Sequence, residues 1–309
     1  MTAAPVWSVL PAAALVLAYA SGAAVLDGLL DPADRDRGAG VRAGRPLWET
    51  ARLLRQRRRS TVTPDALLWR AGAAGPLVVA LLMAVVVPMG GRAVADPVVG
   101  VVWFNALDVA LWLLVWSAGW GANGVYALVG GYRYLAQALA YELPLMFALT
   151  GPAVAAGSLR MSEVVAAQHG LWFVVWMPVA FGVFLGAVAG FSLWGPFGYP
   201  AGRDVAGGVL AEPSGVDRLV LLAGRYALLA AGAAMASALF LGGPAGPVLP
   251  GWLWSALKTA LVLAALVAVR RRMPVLRADR VMRLAWLVVL PLTLAQLLVV
   301  AVIAVVVGG

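Results

Sequence analysis

The chain has 309 residues, of which 63% are hydrophobic and only 12% are charged, and its mean hydropathy is +0.91. This composition excludes a water-soluble globule of that length and is typical of a protein embedded in a bilayer. The net charge of +9 does not indicate a nucleic-acid partner, because the arginines occupy short stretches between long apolar runs. With no cysteine and one histidine, the chain has no ligand set for an iron–sulfur cluster, a zinc site or a haem, so we expect it to ligate no metal or cofactor.

Eight apolar runs are long enough to cross the hydrocarbon core as helices, which takes roughly 20 residues. The sequence therefore predicts an all-α polytopic membrane protein with eight transmembrane helices in a single membrane domain, 1–309. The first run lacks the basic region of a cleaved signal peptide, so we count it as a span. The predicted spans are approximately 6–26, 71–87, 98–117, 126–156, 172–190, 219–242, 252–269 and 284–307.

Lysine and arginine set the predicted orientation, because cationic loops resist translocation. The first, third, fifth and seventh loops hold nearly all of the arginines, whereas the loops of the opposite side hold only Arg92 and Arg160. We expect the arginine-rich loops to face the cytoplasm of a bacterial inner membrane. An even number of spans then places both termini outside.

Two segments between spans predict interfacial amphipathic helices. In 46–57, Leu47, Ala51 and Leu54 recur at helical spacing, so this helix should lie along the cytoplasmic interface. The second candidate is 161–168, on the outer side.

Four ionisable side chains fall inside the predicted spans, where an unpaired charge costs about 3 kcal/mol or more. They are Asp108, Glu142, Arg225 and Lys258. One interpretation is that they neutralise one another as buried pairs, which applies most directly to Asp108 and Arg225. The other is a path for protons or ions, which Glu142 favours because Pro144 lacks an N–H and loosens the helix beside the carboxylate.

Three blocks of the sequence carry a family signature. The first is Gly-Trp-Gly-Ala-Asn at 119–123, followed by Tyr-Ala-Leu-Val-Gly-Gly at 126–131 and Tyr-Glu-Leu-Pro-Leu at 141–145. The second, within 253–292, contains Leu-Lys-Thr at 257–259 and Leu-Pro-Leu at 290–292, and the third begins with Pro-Leu at 46–47. Together with the eight spans, these blocks resemble the H subunit of respiratory complex I over almost the whole chain.

The resemblance implies a place in a larger assembly. The family also includes the membrane subunits of energy-converting hydrogenases and formate hydrogenlyase, and its members lie at the heel of an L-shaped complex. In complex I this subunit docks the peripheral redox module, forms much of the quinone tunnel and begins a proton path. The chain would then be a non-redox subunit of an NADH-quinone oxidoreductase, a translocase. Its partners would be other membrane-arm subunits, the iron–sulfur-containing quinone-reducing peripheral subunits, lipid and quinone.

The resemblance and the positions in spans and loops give three sets of candidate site residues. Candidates for the proton path are Glu142, Lys258, Asp108, Arg225, Glu212 and Asp204. Candidates for the quinone site are Phe197, Tyr199 and Trp194. Candidates for the docking surface are Arg37, Arg42, Arg45, Glu49, Arg52, Arg133, Arg270 and Asp279.

The sequence departs from the family pattern at two places. The family's loop between the fifth and sixth spans is rich in acids, whereas 191–203 keeps the Pro-Phe frame without those carboxylates, and only Asp204 and Glu212 match later acidic positions. A family glutamate in the sixth span matches Arg225, whose guanidinium stays protonated at any relevant pH. We therefore hypothesise a divergent member that keeps the docking and scaffold roles while its quinone-linked proton relay is altered or lost.

Two alternatives stay open. The chain could anchor a membrane-bound hydrogenase or a formate hydrogenlyase-type complex, which would share these signatures without a need to bind quinone. It could also be a stand-alone ion or solute transporter. The absence of an internal inverted repeat and of a substrate-sized polar cluster in the spans argues against the transporter.

Overall fold

The computed structural model describes residues 5–32, 36–90, 92–202 and 207–308, and within these ranges the chain is helical and has no strand. A five-residue π-helical turn, Ala285–Val289, joins the last two helices. The helices are α1 Val9–Leu29, α2 Ala39–Arg55, α3 Ala66–Val85, α4 Gly100–Gly121, α5 Val125–Ala156, α6 Met161–Ala166, α7 Phe173–Trp176, α8 Pro178–Phe191, α9 Gly215–Phe240, α10 Gly251–Arg272, α11 Ala278–Leu284 and α12 Leu290–Gly308.

Within the described ranges, seven helices are long and apolar enough to cross a bilayer: α1, α3, α4, α5, α9, α10 and the helix that runs from α11 into α12. The remaining predicted span, 172–190, is instead split into α7 and α8. Pro178 has no N–H, and its ring disfavours helical dihedrals at Met177, which has φ −122° and ψ 48°. The polytopic all-α fold is therefore confirmed, and the fifth predicted span is a broken helix.

Both predicted amphipathic segments are helical, with different bounds. The helix α2 begins at Ala39, before the predicted start, and it contains Pro46 in its interior. Leu47, Trp48 and Leu54 are exposed on it, as expected for a helix at an interface. The second segment, predicted at 161–168, forms the short α6, which ends at Ala166.

The arginine-rich loops meet at one end of the bundle, which we call the basic end. Here lie the C-terminal ends of α1, α4, α8 and α10, the N-terminal ends of α3, α5, α9 and α11, and the whole of α2. Hydrogen bonds across this end join α1 to α9 and α10. The loops between α3 and α4, α5 and α8, and α9 and α10 lie at the opposite end.

Helix α9 lies at the centre of the bundle and α12 at its periphery. Within the most apolar window of each span, 72% of residues are buried in α9 but only 11% in the α11–α12 helix. Small residues allow the close packing of α9, since a Cβ on Gly224 would lie 2.8 Å from the backbone nitrogen of Leu77 in α3. The centre is therefore held by helix contacts, while the α11–α12 helix is largely uncovered by the rest of the chain.

Candidate functional site

Two carboxyl groups lie side by side in the middle of the bundle, Asp108 of α4 and Glu142 of α5. Asp108 is 0% exposed and Glu142 is 8% exposed. Neutral donors hold one oxygen of each: the Tyr141 hydroxyl donates to Asp108 Oδ1 at 3.2 Å, and Asn105 Nδ2 donates to Glu142 Oε1 at 3.0 Å. The second oxygens, Asp108 Oδ2 and Glu142 Oε2, have no hydrogen-bond partner within the described chain.

A chain of polar groups leads from this carboxyl pair toward the basic end. The Tyr141 hydroxyl lies beside the hydroxyl of Tyr134, about two helical turns earlier on α5. Tyr134 in turn donates to the backbone carbonyl of Phe191 at 3.3 Å, and Gln137 donates to that of Gly190 at 3.0 Å. The polar groups thus end at the C-terminal turn of α8.

Arg225 of α9 lies at the same turn of α8. Its Nε donates to the carbonyl of Ser192 at 3.4 Å, and its Nη2 donates to the carbonyl of Leu193. The last carbonyls of a helix carry partial negative charge, so a cation is favourable there. Asp108 instead contacts Glu142 and Tyr141, so Asp108 and Arg225 do not form the buried pair that the first interpretation expected.

Lys258 of α10 lies toward the opposite end. Its ammonium donates to three backbone carbonyls, those of Leu241 at 2.5 Å, Ala245 at 2.6 Å and Gly243 at 3.1 Å. It also lies 4.0 Å from the centre of the Trp172 ring, a cation–π contact. The four intramembrane ionisable groups therefore form no common cluster: the acids contact each other, and each cation donates to backbone carbonyls.

A further buried acid, Asp27 at the end of α1, is absent from the sequence-based candidates because the predicted first span stops at 26. Asp27 accepts from Arg271 Nε at 2.8 Å, from Arg270 Nη1 at 3.0 Å and from the Tyr226 hydroxyl at 3.2 Å. An acid directly after an apolar run, in a chain rich in arginine, is the signal that could have found it. Asp31 extends the cluster, since it pairs with Arg271 at 3.2 Å and with Arg45 of α2 at 2.6 Å.

The predicted docking residues all lie at the basic end, but they do not form one continuous cluster. Arg52 and Glu49 pair on α2, and the hydrogen bonds to Glu49 raise the pKa of Arg52 above its ordinary value. Arg133 donates to the carbonyl of Gly207 at 3.2 Å, and Asp279 pairs with flanking arginines of α11. The remaining docking candidates, Arg37, Arg42, Arg45 and Arg270, lie just before α2, on α2 and at the end of α10.

The three aromatic residues predicted to line a quinone site are separated. Trp194 is buried beneath Arg270, whose guanidinium lies 4.3 Å from its ring centre, and its Nε1 donates to the carbonyl of Leu266. Tyr199 lies under Arg133, at 4.4 Å. Phe197 packs against α5 and α11. They therefore do not line one pocket in this conformation.

Two proton-path candidates lie in the loop before α9. Glu212 is partly exposed and lies beside the start of α5, where a Cβ on Gly124 would be 3.1 Å from its Oε1. Asp204 falls outside the described residues. In the described part of the chain, no group of three or more His, Asp or Glu side chains is arranged to hold a metal ion.

Comparison with known proteins gives one consistent result. A family model described as NADH dehydrogenase matches residues 43–301. The chain is 36% identical over 265 residues to H subunit 2 of the NADH-quinone oxidoreductase of Geobacter sulfurreducens, covering 82% of this chain and 80% of that protein. It is 41% identical over 217 residues to H subunit 2 of the Cereibacter sphaeroides enzyme, covering 69% and 67%. It is also 36% identical over 214 residues to the H subunit of the Geobacillus kaustophilus enzyme, covering 68% and 64%.

Proposed function

We infer the function from the family, because this chain belongs to the NADH dehydrogenase family, whose members include the H subunit of NADH-quinone oxidoreductase. It is a membrane subunit of an oxidoreductase complex of that kind. The observation that carries this conclusion is the family match over residues 43–301, which spans most of the bundle. Its work in the complex is to dock the peripheral redox module and to provide part of a proton path.

The basic end is the docking face, and it lies in the cytoplasm. The positive-inside rule supports this orientation, because arginines concentrate at this end. The ion pairs of Asp27 with Arg270 and Arg271, and of Asp31 with Arg45, tie α2 and the end of α10 to the end of α1. A partner protein would thus meet a surface whose charged side chains are held in place before binding.

The Asp108–Glu142 pair is the proton-binding site in the membrane. Two ionised carboxylates in contact, without a cation beside them among the described residues, are strongly unfavourable in a bilayer. One proton between them gives a donor to the free oxygens Oδ2 and Oε2 and removes one charge. The pair is therefore a place where one proton can be held and released.

The path from this pair toward the quinone side is altered at Arg225. Tyr141 and Tyr134 continue the hydroxyl chain, but it ends on carbonyl groups, which cannot exchange protons, and beside a permanent positive charge. A proton approaching Tyr134 from the basic end would be repelled by that guanidinium. This arrangement supports the hypothesis of a divergent member whose quinone-linked relay is changed.

The quinone headgroup is proposed to approach the loop between α8 and α9 at Tyr199 and Phe197. These two aromatic rings are partly exposed, whereas Trp194 is covered by Arg270 and acts as their support. A photoreactive quinone analogue in the purified complex should label this loop. Labelling confined to other subunits would remove the loop from the quinone site.

Co-purification tests the assignment to a complex. The chain is tagged at its C-terminus, extracted gently from native membranes, and its partners on a native gel are identified by mass spectrometry. We expect NADH-oxidising, iron–sulfur and antiporter-like subunits. A hydrogenase catalytic subunit in their place would favour the hydrogenase-anchor alternative, and a stable species containing this chain alone would favour the transporter.

A further inference from the structure

An apolar groove runs along the surface of the bundle between α8 and the α11–α12 helix, with α5 as its floor. Its volume is about 330 Å³. Gly182, Gly186 and Gly190 form its α8 wall, and at the first two a Cβ would meet nothing within 4 Å. Gly182 is exposed, so the groove is open at the surface of this chain.

The lining leaves no place for water. Apart from glycine and proline, all lining side chains are aliphatic or aromatic, and the hydroxyl of Tyr141 is already bonded inside the bundle to Asp108. An apolar cavity offers water none of the two to four polar partners that it needs. An empty groove of this size would forfeit dispersion contacts along its whole wall. Its occupant is therefore hydrocarbon.

The groove has a volume of about 330 Å³ and suits a flexible hydrocarbon chain that lies along it. It is also closed toward the opposite end, where Gln296 of α12 accepts from the Ala180 amide at 2.6 Å and donates to the Trp176 carbonyl at 3.3 Å.

Exposed positive charge lies at the other end of the groove. Val281 and Leu284 of α11 line the groove, and Arg277, Arg280 and Arg283 at the start of the same helix and along it are exposed at the basic end. These three arginines outnumber the one carboxylate of this helix, that of Asp279, which contacts Arg277 at 3.4 Å and Arg283 at 3.8 Å. Arginine forks bind phosphate oxygens bidentately. A neutral quinone headgroup carries no negative charge that could pair with these arginines.

We propose that this groove is a binding site for an anionic phospholipid, with one acyl chain between α8 and α11–α12 and the phosphate on the arginines of α11. Tyr141 and Phe197 also line the groove, so it adjoins the hydroxyl chain and the loop proposed for the quinone, whereas the arginines proposed for the phosphate belong to neither. Its role is to seal the broken-helix side of the bundle, where α8 is only 14 residues long.

Photoreactive lipids in proteoliposomes of the purified complex test the proposal. The probes are phosphatidylglycerol and phosphatidylcholine that carry the same diazirine in the acyl chain, and labelled peptides are mapped by mass spectrometry. We expect phosphatidylglycerol to label α8 and 281–289. The double variant Arg280→Gln, Arg283→Gln should reduce that labelling at least about fivefold, since each interfacial arginine contributes roughly that factor. Arg272→Gln, an exposed arginine at the end of α10, is the control and should leave it unchanged.

A second variant tests the acyl chain itself. Gly186→Leu places a side chain in the groove and should abolish labelling of 281–289, whereas Gly22→Leu on the lipid-facing side of α1, also with open space at its Cβ, should not. Equal labelling by the two lipids would overturn the proposal. So would cross-links from this groove to a helix of another protein of the complex, or labelling of α8 and 281–289 by a photoreactive quinone; quinone labelling confined to the loop between α8 and α9 would not. If Gly186→Leu fails to assemble, the surface arginine variants still decide the matter.

Discussion

Two buried acidic sites in the described chain are balanced in opposite ways. Asp27 at the basic end lies between two guanidinium groups and a tyrosine hydroxyl. Asp108 and Glu142 in the middle of the bundle have only neutral donors, Tyr141 and Asn105, and each other. The cations beside the first acid balance its charge and hold the helix ends together, whereas the acid pair without cations can balance its charge only with a proton. Of the two arrangements, the second can change its protonation state during turnover.

The largest expected effect is on stability, from Asp27→Ala. This change leaves Arg270 and Arg271 without their shared carboxylate in a partly buried site, which should destabilise the chain by about 3–5 kcal/mol. Thermal unfolding of the purified complex in detergent, together with its yield from membranes, measures the effect. Asp27→Glu should recover most of the loss. If Asp27→Ala unfolded at the same temperature as the wild type, these contacts would not be what holds the basic end together.

The next effect is on proton transfer. Glu142→Gln and Asp108→Asn keep the shape of each side chain but cannot exchange a proton, so either should lower the rate of proton translocation at least roughly tenfold. Fluorescence quenching of a pH-sensitive dye in proteoliposomes measures translocation, with the redox rate recorded on the same sample. Asn105→Ala, which removes only a hydrogen bond to Glu142, is the milder control. Full translocation by Asp108→Asn would separate Asp108 from the proton site.

Arg225 lies between the two regions, and its replacement should have a smaller, mixed effect. Arg225→Gln loses charge-assisted hydrogen bonds to the carbonyls of Ser192 and Leu193, which should cost about 1–3 kcal/mol of stability. Arg225→Glu, which restores an acid at this position, should raise proton translocation per quinone reduced in the native complex. Unchanged coupling in Arg225→Glu would contradict the proposal that Arg225 alters the relay.

The smallest effect should come from Asp279→Ala. Asp279 pairs with Arg277 and Arg283 at the surface, where both partners are more than half exposed. Exposed ion pairs contribute about 0–1 kcal/mol to stability, so the unfolding temperature should hardly change. The same thermal scan that is used for Asp27→Ala measures it. A loss of stability as large as that of Asp27→Ala would show that the buried acid and the surface pair do not differ in their contribution to stability.

Most of the span pattern could be predicted, because a long apolar run in a bilayer must satisfy its own backbone hydrogen bonds and therefore forms a helix. The bounds of the fourth span are a clear case: the predicted 126–156 corresponds to Val125–Ala156. Proline disfavours helical dihedrals at the residue before it, so Pro178 already indicates a break in this span. The run 172–190 is apolar throughout, however, and hydropathy alone predicts one continuous helix there. The sequence predicts a start of α2 at Pro46, whereas the helix begins at Ala39 and tolerates this proline in its interior.

The sequence predicts which residues belong to the candidate site but not which of them contact one another. Sequence position marked Asp108, Glu142, Arg225 and Lys258 as costly inside a membrane, and all four are buried. Opposite charges suggested that acids would pair with bases, yet Arg225 and Lys258 bind backbone carbonyls at helix ends. Those carbonyls carry no signature in the sequence, since every residue has one.

The sequence by itself determined that this chain lies in a membrane, which end is basic, and to which family it belongs, because these depend on composition and on local motifs. Only the tertiary structure decided that Asp108 of α4 meets Glu142 of α5, that Asp27 receives two arginines from α10, and that α8 and α11 leave a groove between them. Each of these depends on the rotation of one helix against another. That rotation is fixed by packing over the whole bundle, which no single stretch of sequence contains.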